Sequence, residues 1–235
     1  MFAPSYFFTA AFAPTPFTPF YQRALYQSER SLVGRVFVTL HKKLQLLPGE
    51  VQQEASRLLT LRECLLQRFQ QIAQRAIPAQ RLRCHGDYHL GQVLSTGNDL
   101  VIFDFEGQPQ YLVSERQLKH SPLQDVASML WSFQHATYMA RRNGIEDEAS
   151  AWQEVKRREA WANLWHGWSG SASLHAYLAT AAAGACLPPT REEILILLEN
   201  FLLAIAVAAL SEALNTRPRW AWIAIEGLLQ LLDAQ

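Results

Sequence analysis

With 235 residues, 49% of them hydrophobic, the chain holds enough apolar mass for one large or two small packed domains. Its 21 basic and 21 acidic side chains cancel, leaving no field to hold a polyanion, which argues against nucleic acid or an anionic membrane surface as a partner. Cys64, Cys84 and Cys186 are odd in number and lack a Cys-x-x-Cys spacing, which favours reduced thiols in a cytoplasmic setting over a disulfide frame or a zinc site.

The first twenty residues, "MFAPSYFFTAAFAPTPFTPF", are apolar, but they carry four prolines and no basic residue precedes Arg23. Residues 1–20 therefore read as an extended packing arm and not as an export signal. From Gln22 to about Leu44, apolar residues at Leu25, Leu32, Val33, Val36, Phe37 and Leu40 follow one helical face. A second helix, Glu50 to Ala76, is predicted to close at Ile77-Pro78. Short strands follow at Arg81 to Cys84, at Val93 to Ser95 and, after a Gly97-Asn98 turn, at Leu100 to Phe105. Ser121, Pro122 and Gln124 mark the next helix start, as N-cap, first helical residue and capping-box partner. Leu123, Val126, Ala127, Leu130 and Phe133 would be its buried face. Three more helices are expected near Glu146 to Trp168, Arg191 to Leu214 and Trp220 to Leu232. Within Ile194 to Leu210, Glu199 and Asn200 leave an unbroken apolar run of only Phe201 to Leu210. That is too short to cross a bilayer, so a buried helix is expected and no membrane span. The fold class is mainly α with one small β-hairpin.

The unusual chemistry gathers around that hairpin. Asp87 follows His85 by two residues and precedes Gln92 by five; Asp104 comes seventeen later, in "VIFDFEG". Phoshoryl transfer in protein-kinase-like enzymes needs a carboxylate to accept the attacking hydroxyl's proton, an amide oxygen five residues on for Mg²⁺, and a second carboxylate for the metal beyond a hairpin. Asp87, Gln92 and Asp104 supply these in order. Mg²⁺ takes hard oxygen ligands, which a carboxylate and an amide carbonyl provide. Gln92 stands where asparagine is usual, which sets the carbonyl one methylene farther out.

"HGDYH" is the form found in the small-molecule branch of this fold, the aminoglycoside-phosphotransferase-like kinases. Together "FAPTPFTPFYQRALYQS", "CHGDYHLGQVL", "VIFDFEGQP" and "SERQLKHSPLQDVASML" resemble the bacterial maltokinase family, often found fused to trehalose synthase, over roughly Ala11 to Leu232. The resemblance implies ATP-dependent phosphorylation of maltose to maltose 1-phosphate, with Mg²⁺ as cofactor. It implies Asp87 as catalytic base, Gln92 and Asp104 as metal holders, and Glu106, on Asp104's strand face if the strand persists, as a further metal ligand. His85, His89 and Asp125 would support the catalytic loop.

It also implies a kinase-like C-terminal lobe over residues 21–235, with loop and hairpin at 81–107, in an α+β fold whose N-terminal lobe is absent. No glycine-rich phosphate loop is present, and Lys42, Lys43, Lys119 and Lys156 lie in no strand-like run. A missing N-terminal lobe or trehalose synthase is thus the expected protein partner, and weak activity is expected of the chain alone.

Competing readings are a different small-molecule kinase, acting on an aminoglycoside or choline, and a non-catalytic interaction module. His85, Asp87 and His89 on one strand face could hold a metal, and His85 and Asp87 with a distant His175 match a facial triad. Trp161, Trp165 and Trp168 form a helical stripe expected to face the core. Arg141-Arg142 and Arg157-Arg158 read as solvated helix faces.

Overall fold

The computed structural model describes residues 12–106, 112–142 and 157–233. Helix α1, Pro19–Lys43, starts three residues before the apolar spacing predicts. Thr18 caps it: the Tyr21 amide donates to Thr18 Oγ1 at 3.2 Å, and Pro19 takes a first-turn position that needs no donor. The single helix expected over Glu50 to Ala76 is two, α2 at Gly49–Thr60 and α3 at Arg62–Gln74, bent at Leu61. Neither Pro nor Gly stands at the bend. Its cause is tertiary, because α2 packs against the C-terminal helix while α3 packs against α1.

Buried Gln22 closes the end of α3. Its Nε2 donates to the carbonyls of Ile72 at 2.6 Å and Arg75 at 2.9 Å, and its Oε1 accepts from the Ile77 amide at 3.3 Å. Carbonyls that a helix end leaves without partners are thereby satisfied. Strand β1, Thr15–Pro16, then pairs antiparallel with β2, Gln80–Arg81. Of the expected arm, Thr15–Pro16 are extended and residues 19 and 20 already belong to α1; residues 1–11 lie outside the described residues. The strand expected at Arg81 to Cys84 falls earlier, and Leu82 and His120 follow it with a reciprocal backbone pair at 2.8 and 2.9 Å. The expected hairpin joins β3, Val93–Ser95, to β4, Leu100–Ile102, with Val93 opposite Ile102.

After the short helix α4, Val113–Arg116, comes α5, Leu123–Arg142. Ser121 Oγ accepts from the Leu123 amide at 3.4 Å at its start. Of the five predicted residues Leu123, Val126 and Ala127 are buried and Leu130 and Phe133 only partly so, while Met129, Trp131 and Tyr138 join the buried side. Helix α6, Glu159–Ala181, runs well past Trp168 through a Gly/Ser/Ala stretch. The expected start at Glu146 lies outside the described residues. The last two helices are α7, Arg191–Thr216, capped by Thr190, and α8, Ala221–Asp233.

Helix α7 is the hub, packing against α1, α3, α5 and α8. By length and composition it could cross a membrane, but Leu197, Leu203, Ala206, Val207, Leu210 and Leu214 are fully buried among the other helices. One apolar core joins α1, α2, α3, α7 and α8. A second, built on Phe17, Ile72, Ile77, Leu123, Leu197 and Phe201, lies at the end of the bundle where the chain enters and leaves the loop.

Two expectations fail here. Trp161, Trp165 and Trp168 are 76%, 49% and 74% exposed. Among the described residues α6 packs mainly on α5, and it approaches through Gly170, whose missing side chain admits Leu130. The tryptophan stripe is thereby turned outward, with Trp165 meeting Phe133 edge-on at 6.0 Å. Arg141 is 2% exposed and not solvated. Its Nη1 donates to Glu226 Oε1 at 2.9 Å, and its guanidinium lies 5.2 Å from the Tyr138 ring centre and 5.8 Å from that of Trp222. Pairing and stacking offset its desolvation.

Candidate active site

The loop from His85 to Gln92 is hung from the first turn of α5. Asp125 accepts the His85 amide on Oδ2 at 2.7 Å and the Gly86 amide on Oδ1 at 3.0 Å. Burial pushes the Asp125 carboxyl up from its ordinary value, and these two amide donors pull it back. Gly86 has φ of +84°, a left-handed conformation that costs a glycine little. The chain thus reverses beside Asp87.

His85 then ties the loop to the hairpin. Its Nδ1 accepts the Asp87 amide at 3.3 Å, so the ring proton belongs on Nε2, which donates to the Phe103 carbonyl at 2.8 Å. One imidazole therefore links the backbone at Asp87 to the residue before Asp104. The ring also lies against Tyr88 and Phe105, with centroids 5.6 and 4.8 Å away. His89 accepts the Gly91 amide on Nδ1 at 3.0 Å and brings Nε2 to 3.8 Å from Asp87 Oδ2. Ser132 of α5 holds the loop's far side, accepting the Leu90 amide at 3.1 Å.

At the end of the hairpin, Gln92 Nε2 donates to Asp104 Oδ2 at 2.8 Å, and the Phe103 amide returns to the Gln92 carbonyl at 3.2 Å. Asp104 has φ of +65°, a conformation that aspartate tolerates better than most residues. Gln92 and Asp104 are thus brought together. Glu106 is not shown to join them: β4 ends at Ile102, so the strand face that Glu106 would share with Asp104 does not exist. Among the described residues no three His, Cys, Asp or Glu side chains gather as a metal group, which leaves both His85/Asp87/His89 and His85/Asp87/His175 unassembled.

Asp87 opens onto a cleft of about 1020 Å³ between the loop and helices α1, α5 and α7. Its walls include Glu29, Gln124, Trp131, His135 and Glu212, and among the described residues no lysine or arginine lines it. Glu29 was not singled out by its sequence. A signal existed, because it lies four residues from both Leu25 and Val33, on the apolar stripe of α1. Burial pushes its carboxyl well above the usual range, opposed by a hydrogen bond from Asn200. Burial also lowers His135, against the pull of Glu212. Behind the loop, burial first and Asp125 second push the Cys84 thiol up to about 12, which makes it an inert thiol.

Residues 37–161, more than half of the chain, match the phosphotransferase enzyme family APH. The chain belongs to this family. Over 57 residues, 24% of this phosphotransferase-family chain, it is 44% identical to a glucosamine kinase of Mycolicibacterium smegmatis (strain ATCC 700084 / mc(2)155), and that stretch is 14% of the relative. A glucosamine kinase solved in complex with glucosamine, ADP and inorganic phosphate superposes with a TM-score of 0.73 at 20% identity, over 94% of this chain and 49% of that one. Glucosamine kinase crystal form B gives the same TM-score over 48% of its length. The fold is therefore that of a kinase-like phosphotransferase, and the chain spans about half the length of these solved structures.

Proposed function

We propose that this chain is the acceptor-binding and metal-holding part of an ATP-dependent sugar kinase. The observation that carries the reading is the loop itself: Asp125 fixes two successive amides, His85 links Asp87 to the end of the hairpin, and Asp87 opens on a cleft large enough for a sugar. Asp87 would accept the proton of the attacking hydroxyl. His85 and Asp125 would position it, and His89 would steady its carboxylate from the side.

Gln92 and Asp104 fit the family's Mg²⁺. Their polar atoms are 2.8 Å apart, close to the roughly 3.0 Å between neighbouring oxygens of a Mg²⁺ octahedron with bonds of about 2.1 Å. A half-turn of the amide presents Oε1 in place of Nε2. When bound, the ion would neutralise charge on the phosphates. Glu106 remains part of the proposal as an outer ligand, without the shared strand face that first suggested it.

The motif resemblance favours maltose as acceptor, giving maltose 1-phosphate, with trehalose synthase or a nucleotide-binding lobe as protein partner. A second acceptor, an amino sugar such as glucosamine, is favoured by three carboxylate-bearing residues, Glu29, Asp87 and Glu212, in a cleft lined by no lysine or arginine among the described residues. A cytoplasmic setting, as the free cysteines suggested, belongs to the same reading.

The test is phosphate transfer from ATP to maltose, glucosamine and glucose, by the 235-residue chain and by the chain joined to a nucleotide-binding lobe of a relative. The isolated chain is expected to turn over slowly, because a nucleotide held on one side is poorly oriented for in-line transfer. In the joined protein Asp87→Asn should lower kcat by about 10²- to 10⁴-fold with little change in KM. A wild-type rate in Asp87→Asn would end the proposal.

A further inference from the structure

The wall of the cleft holds a buried carboxyl that the phosphoryl-transfer machinery does not use. Glu29 is 4% exposed and Asn200, on α7, is 2% exposed. Asn200 Nδ2 donates to Glu29 Oε1 at 2.6 Å. Glu29 Oε2 and Asn200 Oδ1 are buried with no hydrogen-bond partner among the described residues. A buried polar atom without a partner costs on the order of 1–3 kcal/mol, and a carboxyl that can ionise costs more than an amide in the same place. A bridge serving only to tie α1 to α7 would be satisfied by glutamine, which carries no ionisation penalty. What glutamate adds is the capacity to meet a positive charge.

The surroundings agree with that capacity. Glu29 shares the cleft with Asp87 and Glu212, and no lysine or arginine among the described residues answers them. The two orphaned atoms are both oxygens. Only Glu29 lines the cleft, with Asn200 holding it from behind; an ammonium group offers its carboxylate three donors and a full charge, whereas a hydroxyl has one donor to offer. Resting on the reading that this cleft holds the sugar acceptor, we propose that Glu29, backed by Asn200, is a specificity-determining residue that binds an ammonium group on that acceptor. Asp87 and Glu29 then divide the work: one faces the hydroxyl to be phosphorylated, the other recognises the amine.

The experiment measures binding and not turnover, so it needs only the 235-residue chain. Wild type, Glu29→Gln and Glu29→Asp are titrated with glucosamine and with glucose by calorimetry at neutral pH. These sugars differ only in an amine replacing a hydroxyl. Wild type should prefer glucosamine by about tenfold or more, the worth of a hydrogen bond to a charged group. Glu29→Gln should lose most of that preference while leaving glucose affinity unchanged. Glu29→Asp, which keeps the charge on a shorter stem, should retain part of it, and it serves also where the glutamine variant fails to fold. An undiminished preference in Glu29→Gln overturns the proposal and leaves the sugar cleft standing. Failure of the wild type to bind either sugar overturns both.

Discussion

The helical core and the loop-and-hairpin region are held together by different forces. In the core, Val33, Leu40, Leu203 and Leu210 have no exposure at all, and burial does the stabilising. On the hairpin, Leu100, Val101 and Ile102 are 65%, 46% and 40% exposed, followed by Phe103 at 43% and Phe105 at 62%. What holds this ribbon and the preceding loop is a short set of polar bonds, from Asp125 to two amides, from His85 to Phe103 and from Gln92 to Asp104. Stability and positioning are thus separable here. The core can be weakened without moving Asp87, and the loop can be released without melting the core. In the proposed sugar kinase, the bare apolar ribbon is the surface that a nucleotide-binding lobe would cover.

The largest effect belongs to the core. Phe69 of α3 is fully buried in the main apolar cluster. Phe69→Ala should destabilise the chain by about 3–5 kcal/mol, read from the midpoint of urea unfolding. A loss under about 1 kcal/mol would mean that the cluster is not the source of stability.

Asp125→Ala probes the boundary between the regions. It strips the partners from the His85 and Gly86 amides while relieving the burial of a carboxylate, whose own value burial has raised. A net cost of about 1–3 kcal/mol is expected. In the proposed kinase, assayed with a nucleotide-binding lobe joined, the loss of phosphate transfer should be far larger than that destabilisation explains, because Asp87 loses its anchor. Unaltered activity would show that the loop is held in some other way.

Glu29 sharpens the comparison by placing a polar group within the core's own territory. Its folded carboxyl lies above 4.5, so its contribution to stability is present below that value and is lost as pH rises through the folded pKa. Glu29→Gln has no such loss. The melting temperature of Glu29→Gln minus that of wild type should therefore grow more positive from about pH 5 to about pH 8. A constant difference across that span would mean that the carboxyl titrates normally.

Features written in local chemistry could be read from the chain. The start of α5 was legible because Ser121 and Pro122 are a cap and a first-turn residue, and the hairpin because Gly97-Asn98 interrupts two apolar runs. The spacing of Asp87, Gln92 and Asp104 was legible as a protein-kinase-like pattern, whereas the bonds that His85 and Asp125 make across the fold were not. Features set by distant partners could not be read. The bend at Leu61 follows from two packing partners and not from a breaker residue. The tryptophan stripe of α6 has the period of a buried face, yet its neighbour lies on the other side. Arg141 looked solvated because neither Glu226 nor Trp222 is near it in sequence, and the bond from Asn200 to Glu29 spans 171 residues, although the place of Glu29 on the apolar stripe of α1 is a local signal.

The smallest effect is expected on the hairpin, and its size is the point. Leu100 is 65% exposed and pairs with Ser95 through the backbone, which a substitution leaves in place. Replacing it with serine removes apolar surface that is already in water, so the unfolding free energy of the 235-residue chain should change by about 0.5 kcal/mol or less. The same substitution in a protein that includes a nucleotide-binding lobe should cost more, because the lobe would take Leu100 out of water and a buried leucine is worth about 1.5–3 kcal/mol. Equal effects in the two settings would mean that the ribbon stays bare, and that the exposed apolar face has no part in assembling the proposed kinase.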